Sequence, residues 1–109
     1  MQAVSVSADT DGTLDVALCG EIDYANSAQV LETIRDGVRR VAPTVIRVEM
    51  AQVTFLDSSG ISVLVHTMRL ADEQGAAFRL EHPNANVYDQ LSMSGLLTAF
   101  GLAEPSPES

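Results

Sequence analysis

The chain has no lysine, no tryptophan and a single cysteine. Its basic residues are six arginines, set against fifteen acidic residues, and the formal net charge is -9. A surface of that sign repels a phosphate backbone and an anionic membrane, so we expect neither nucleic acid nor a membrane as a partner. The lone Cys19 has no cysteine with which to form an internal disulfide or share a metal, and it is interpreted as a buried strand residue.

Long apolar runs are also missing. The N-terminal residues have neither the basic start nor the apolar segment of a signal peptide, and no stretch approaches the roughly 20 apolar residues that a membrane span needs. We therefore expect a cytoplasmic protein. A chain of 109 residues with 46% hydrophobic residues can build one core and is too apolar to be disordered, which indicates a single folded domain.

The spacing of apolar residues predicts alternating strands and helices. Alternation in Ala3 to Ala8 and in Thr13 to Cys19, around a turn at Asp9 to Gly12, predicts an N-terminal β-hairpin. A helical period follows and ends before Pro43. The expected core stripe of this first helix is Ala28, Leu31, Ile34, Val38 and Val41.

The second half of the chain repeats the strand and helix pattern. The predicted elements are a strand at Thr44 to Met50 extended by Val53 to Leu56, a helix from 57–60 to the cap Gly75, a strand at Ala76 to Glu81, a helix at Asn84 to Ser94, and a loosely specified closing segment at Leu96 to Leu102. The expected core stripe of the second helix is Ile61, Leu64, Val65 and Met68.

These elements define an α/β fold. Strand-helix-strand crossovers of this length are right-handed, so the sheet is predicted to be mixed, with the N-terminal hairpin and about three to four helices packed against it. The expected domain covers residues 1–103. The remaining residues, 104–109, are polar and proline-rich, so we expect them to form a disordered tail.

The most distinctive segment, Val53 to Ile61, places one acid and two serines at a turn from strand to helix. The first amides of a helix lack intrahelical partners, and a cap at Asp57 or Ser58 alone would explain these residue types. A phosphate on Ser58 is also compatible with the positive end of the helix dipole. Its charge of roughly -1.5 to -2 would change what docks there more than it would change the fold.

At these residues the chain resembles the STAS domain family and, within it, the bacterial anti-sigma factor antagonists. The most specific match is Thr54 to Ile61, supported by Gly20 to Asp23 after the second strand. Weaker matches are Pro83, Val87 to Leu91, Ser94 to Leu96 and Phe100. Their order and spacing between Val16 and Leu102 argue against a chance match.

The resemblance implies a binding module that switches partners, and no enzyme. In the family, the unphosphorylated antagonist binds an anti-sigma factor that is also a serine kinase, which frees a sigma factor. Phosphorylation of the serine after the motif's aspartate ends the complex, and a metal-dependent serine phosphatase restores it. Carried over to this chain, the resemblance makes Ser58 the phosphoacceptor and assigns partner binding to Asp23, Asp57, Ser58, Ser59 and Gly60.

Other functions have less support. Ser58, His66 and Asp57 resemble a catalytic triad, but eight residues of helix separate Ser58 from His66 by about 12 Å, too far for direct proton transfer. Because His66 and His82 are far apart and no glycine-rich loop carries a lysine, we expect no metal and no cofactor. A STAS scaffold that is not phosphorylated is the alternative. Ser62, where the family usually has glycine, leaves the details of docking open.

Overall fold

A mixed four-stranded sheet forms the centre of the part of the chain that the computed structural model describes, residues 3–102. The strands are β1 (Val4–Ala8), β2 (Thr13–Ile22), β3 (Val45–Leu56) and β4 (Ala77–Glu81), and they lie side by side in that order. The first pair is antiparallel and the other two pairs are parallel. The helices are α1 (Ser27–Val41), α2 (Ser58–Gln74) and α3 (Ala85–Met93). The predicted fold class is confirmed, and the tail predicted at 104–109 lies outside the described residues.

One face of the sheet carries the core. Leu14, Val16 and Leu18 of β2 are buried, as their alternation predicts, and the strand pairing places Ile46 and Val48 of β3 on the same face. α1 packs on β1 and β2, α2 packs on β3 and β4, and the two helices contact each other. Cys19 belongs to the opposite face, and it is half-buried where the sequence suggested full burial.

The inward faces of both helices differ from the predicted stripes. In α1 the buried residues are Val30, Ile34, Gly37 and Val38, whereas Ala28 is exposed and Leu31 is half-buried. In α2 they are Gly60, Val63, Leu64, Thr67 and Ala71, with the other predicted stripe residues half-buried at the sides. The physical reason is close packing on small residues: a Cβ on Gly37 would lie 2.8 Å from a methyl of Val6.

The predicted strand and its extension form one continuous strand, β3. Five residues of β2, from Ala17 to Glu21, lie opposite seven residues of β3, from Glu49 to Phe55. The two extra residues of β3 are accommodated by irregularities in the pairing, which interrupt its alternation and hid the continuity from sequence analysis.

The end of the described chain belongs to the core. Leu97 and Phe100 are buried, and the ring of Phe100 packs against that of Phe78 with centroids 5.8 Å apart. The closing segment is therefore specified by packing that its own pattern did not reveal.

Hydrogen bonds connect α3 to β3. The side-chain amides of Asn84 and Gln90 donate to the carbonyls of Val53 and Leu56 at 2.7 Å and 2.6 Å.

The burial difference between the two helical stripes predicts a difference in stability. Leu64 is fully buried, so Leu64→Ala is expected to lower the free energy of unfolding by about 2 to 5 kcal/mol. Leu31→Ala, the matched control at a half-buried position, is expected to lower it by less than half as much. Urea unfolding followed by circular dichroism measures both, and equal losses would contradict the observed orientation of the helices.

Candidate functional site

The N-terminus of α2 is capped by Asp57. Its Oδ1 accepts a hydrogen bond from the Gly60 amide at 3.0 Å, and its extended backbone is typical of a capping residue. Of the two capping residues that the sequence allowed, the structure selects Asp57. Ser58 is then the first residue of the helix, and its exposed hydroxyl makes no hydrogen bond within residues 3–102.

The second carboxylate oxygen of Asp57 reaches a different part of the chain. Oδ2 accepts from the Tyr24 amide at 3.0 Å, in the loop between β2 and α1. Asp23 precedes Tyr24 in this loop, and its own carboxylate accepts from the Ala25 amide at 3.0 Å. The two predicted acidic positions, Asp23 and Asp57, are thereby brought to one side of the molecule.

The same bonds keep Asp57 ionised. The Gly60 amide is the main cause that lowers the pKa of this carboxyl. Burial opposes it more weakly, and the amides of Tyr24 and Ser59 add still smaller lowering effects. A permanent negative charge therefore lies beside the Ser58 hydroxyl at neutral pH.

Gly60 permits the close approach of α2 to the end of β2. A Cβ on this residue would lie 2.3 Å from the carbonyl oxygen of Ile22 and 2.9 Å from a methyl of Leu56. The Asp57 amide also donates to the Ile22 carbonyl, at 3.3 Å. Because Gly60 is buried, it positions Ser58 and Ser59 and offers no side chain to a partner.

Exposed apolar side chains surround the site. Tyr24 is 85% exposed, Met93 90% and Phe55 41%. Phe55 and Met93 line a shallow recess together with Ser58 and Ile61. Large exposed apolar residues that cluster mark interaction surfaces. Sequence analysis did not select these three residues, although the outward position of Phe55 beside the inward Leu56 was a usable signal.

A second recess lies on the other side of Ser58, between α1 and α2. It is lined by Ser27, Ala28, Leu31, Ser58, Ser59, Ser62, Val63 and His66. His66 Nδ1 lies 2.8 Å from the Ser62 carbonyl oxygen and 3.2 Å from its hydroxyl oxygen. His66 is thus engaged with Ser62, and both oxygens of Asp57 are engaged with amides. The described residues do not assemble a triad around Ser58.

His82 lies elsewhere, on the face of the sheet opposite α1 and α2. Its Nδ1 is 2.9 Å from Oε1 of Glu49, and possible ligand atoms of Glu49, Glu81 and His82 all lie within 4.8 Å of one another. The contact with Glu49 raises the pKa of His82. The sequence argument against a metal relied on the separation of the histidines and missed this group of three residues. The contact observed within the group is the pair of Glu49 and His82, remote from Ser58.

The helices described between residues 3 and 102 include none that is long and apolar enough to span a membrane.

The fold is that of a known family of small domains. The STAS domain model matches residues 6–107, and the chain belongs to this family. A related protein, the anti-sigma F factor antagonist of Paenibacillus polymyxa, is 31% identical over 85 residues, which cover 78% of this chain and 73% of that protein. The resemblance drawn from the sequence motifs is confirmed.

Two solved structures show the same fold. The anti-sigma factor antagonist SpoIIAA in its unphosphorylated form has a TM-score of 0.78 at 24% identity, over 97% of this chain and 90% of that one. The Bacillus cell fate determinant SpoIIAA in its phosphorylated form has a TM-score of 0.72 at 24% identity, over 97% and 94%. In sequence and in fold, the chain is similar to anti-sigma factor antagonists.

The double role of Asp57 predicts a coupled response of two loops. Because folding lowers the pKa of this carboxyl, its stabilising contribution is present above the ordinary value near 3.8 and is lost as the pH falls through the folded value. The amide proton shifts of Tyr24 and Gly60 should therefore titrate together in an NMR pH series. Asp57→Ala should move both amides at neutral pH, and Asp72→Ala, at an exposed position of α2, should move neither. Independent titration of the two amides would refute the link.

Proposed function

We propose that this chain is an anti-sigma factor antagonist whose binding is switched by phosphorylation of Ser58. In the unphosphorylated form it binds an anti-sigma factor serine kinase and so frees a sigma factor. The observation that carries this proposal is the geometry at the start of α2: Asp57 takes the capping role and leaves the Ser58 hydroxyl exposed and without a hydrogen bond in residues 3–102. A kinase could reach that hydroxyl without breaking the cap.

Electrostatics explains why a phosphate there would act on binding and leave the fold intact. The positive end of the α2 dipole favours an anion at this position. SpoIIAA itself, which has the same fold, has been solved in unphosphorylated and phosphorylated forms. The phosphate would add a charge of roughly -1.5 to -2 next to the ionised Asp57, so the local negative charge would more than double.

Because the surface around Ser58 is partly apolar, the added charge would lower the affinity for the partner. Tyr24, Phe55 and Met93 offer apolar area that favours association when it is removed from water. A phosphate among them would have to shed its hydration in the same step, which is costly unless the partner supplies a matching cation. The cost of removing a neutral hydroxyl from water is much smaller, so the unphosphorylated form is the binding form.

The reverse step would be carried out by a serine phosphatase that acts on phosphorylated Ser58. The exposure of this residue is compatible with access by both enzymes. Asp23, Asp57, Ser58 and Ser59 would form the charged and polar part of the docking face, with Gly60 beneath them. Because the cycle consumes ATP, we place it in the cytoplasm.

The choice between neighbouring serines can be tested directly. We expect a cognate anti-sigma kinase with ATP to modify Ser58 and not Ser59, because Ser58 is exposed whereas Ser59 is half-buried. Phosphopeptide mapping of wild type, Ser58→Ala and Ser59→Ala provides the measurement. Only Ser58→Ala should abolish phosphate incorporation. Phosphate found mainly on Ser59 would overturn the assignment.

Affinity for the isolated kinase tests the switch itself. Ser58→Ala should bind like the unphosphorylated wild type and, since it cannot be phosphorylated, stay bound. Ser58→Asp should bind about tenfold more weakly or worse, a change of about 1.4 kcal/mol, while enzymatically phosphorylated protein should bind still more weakly because phosphate carries more charge. Ser7→Asp, which adds the same charge at an exposed position of β1, is the matched control and should bind normally.

Circular dichroism of each protein establishes that it is folded. Equal affinity of phosphorylated and unphosphorylated protein would rule out partner switching and favour the scaffold alternative.

A further inference from the structure

A groove of about 450 Å³ runs between α1 and α2, beyond the recess that contains Ser58. Three arginines line it: Arg35 and Arg39 from α1, and Arg69 from α2. They are half of the six arginines in a chain of net charge -9. Glu73 is the only acidic residue among the described residues that line the groove. The groove is therefore a local concentration of positive charge on an acidic protein.

These arginines lack partners in the part of the chain that the structure describes. Arg40 pairs with Asp36, and Arg47 pairs with Asp15, but no ion pair within residues 3–102 includes Arg35, Arg39 or Arg69. Acidic residues outnumber basic ones in the chain, so acids suitable for pairing are plentiful. Three exposed guanidinium groups that face one groove repel one another and favour an anion between them.

Helix stabilisation does not account for the set. Arg39 lies in the last turn of α1, where a cation interacts favourably with the helix dipole. Arg35 lies one turn earlier, and Arg69 is outside the last turn of α2, which contains no basic residue. The dipole therefore leaves two of the three positions unexplained.

The shape and surroundings of the groove indicate the kind of anion. Its floor includes the apolar side chains of Val38 and Leu70, which a simple inorganic anion would leave uncovered. His66 lines both this groove and the recess beside Ser58, so the two depressions are consecutive along the α1 and α2 seam. A long polyanion such as RNA would extend past the groove and be repelled by the acidic remainder of the chain. A short acidic segment would stay near the arginines, within the range of about 8 Å over which charges act at physiological salt.

We propose that the groove between α1 and α2 binds an acidic segment of a partner protein, with carboxylates on Arg35, Arg39 and Arg69 and an apolar side chain over Val38 and Leu70. This contact goes beyond the switch at Ser58, because it requires no change of phosphorylation state. It would give a partner docked at the Ser58 face a second point of attachment along the same seam.

The experiment uses a short fluorescent peptide of glutamates with a central leucine as the probe. We expect it to bind the full chain and to shift the NMR amide signals of residues 35–39 and 66–73. The double variant Arg35→Gln and Arg69→Gln should weaken binding roughly fivefold to tenfold. Arg79→Gln, which removes an exposed arginine of β4 that also lacks an ion pair within residues 3–102, is the control and should leave the affinity unchanged.

Each alternative has its own result. Absence of peptide binding would overturn the proposal, as would equal weakening by Arg79→Gln, which would indicate attraction by overall charge. Pyrophosphate that shifts the groove signals while the peptide does not would indicate a small-anion site and also overturn it. The peptide is measured on unphosphorylated wild type and the switch on the kinase complex, so failure here and failure of the phosphorylation switch can be told apart.

Discussion

The candidate site depends on one carboxylate that serves two chain segments. Asp57 accepts from the Gly60 amide at the start of α2 and from the Tyr24 amide in the loop after β2. The first bond caps a helix, and the second holds the loop after β2 against that helix start, next to the paired ends of β2 and β3. Removal of this carboxylate would loosen the loop from the helix start, although the core beneath them would remain packed.

The sheet decides where this carboxylate can act. β2 and β3 are parallel and end at the same edge, so the turn before α1 and the turn before α2 emerge side by side. Gly60 then allows the helix start to rest directly on the Ile22 carbonyl. Ser58 lies at the edge of the core with its side chain exposed, while Leu56 and Leu64 are fully buried.

Sequence analysis recovered the features that depend on local chemistry. Each of these features lies in a short stretch whose residue types by themselves indicate the local structure. They are the hairpin alternation, the proline that ends α1, the glycine that ends α2 and the motif around Ser58. The orientation of the helices did not follow, because Gly37 and Gly60 have no hydrophobic side chain and yet lie where the helices approach the sheet closely. The arginines between α1 and α2, which have no ion pair among residues 3–102, were also hidden, since only the folded chain shows which charges lie near one another.

The two extra residues of β3 have a consequence for how the site is encoded. Buried positions in this strand run through Ile46, Val48 and Met50, then change to Val53, and change again to Leu56. After each irregularity, the residue positions that would have faced the core face water, and those that would have faced water face the core. Two such exchanges precede Phe55, so it faces water and Leu56 faces the core, as they would in a strand without irregularities. Loss of one extra residue near Ala51 would remove one irregularity, and the residues that follow would keep their faces. The faces of Phe55 and Leu56 are therefore fixed by their pairing with Glu21 and Ile22 of β2, and this strand tolerates a change of length that an unbroken alternation would not.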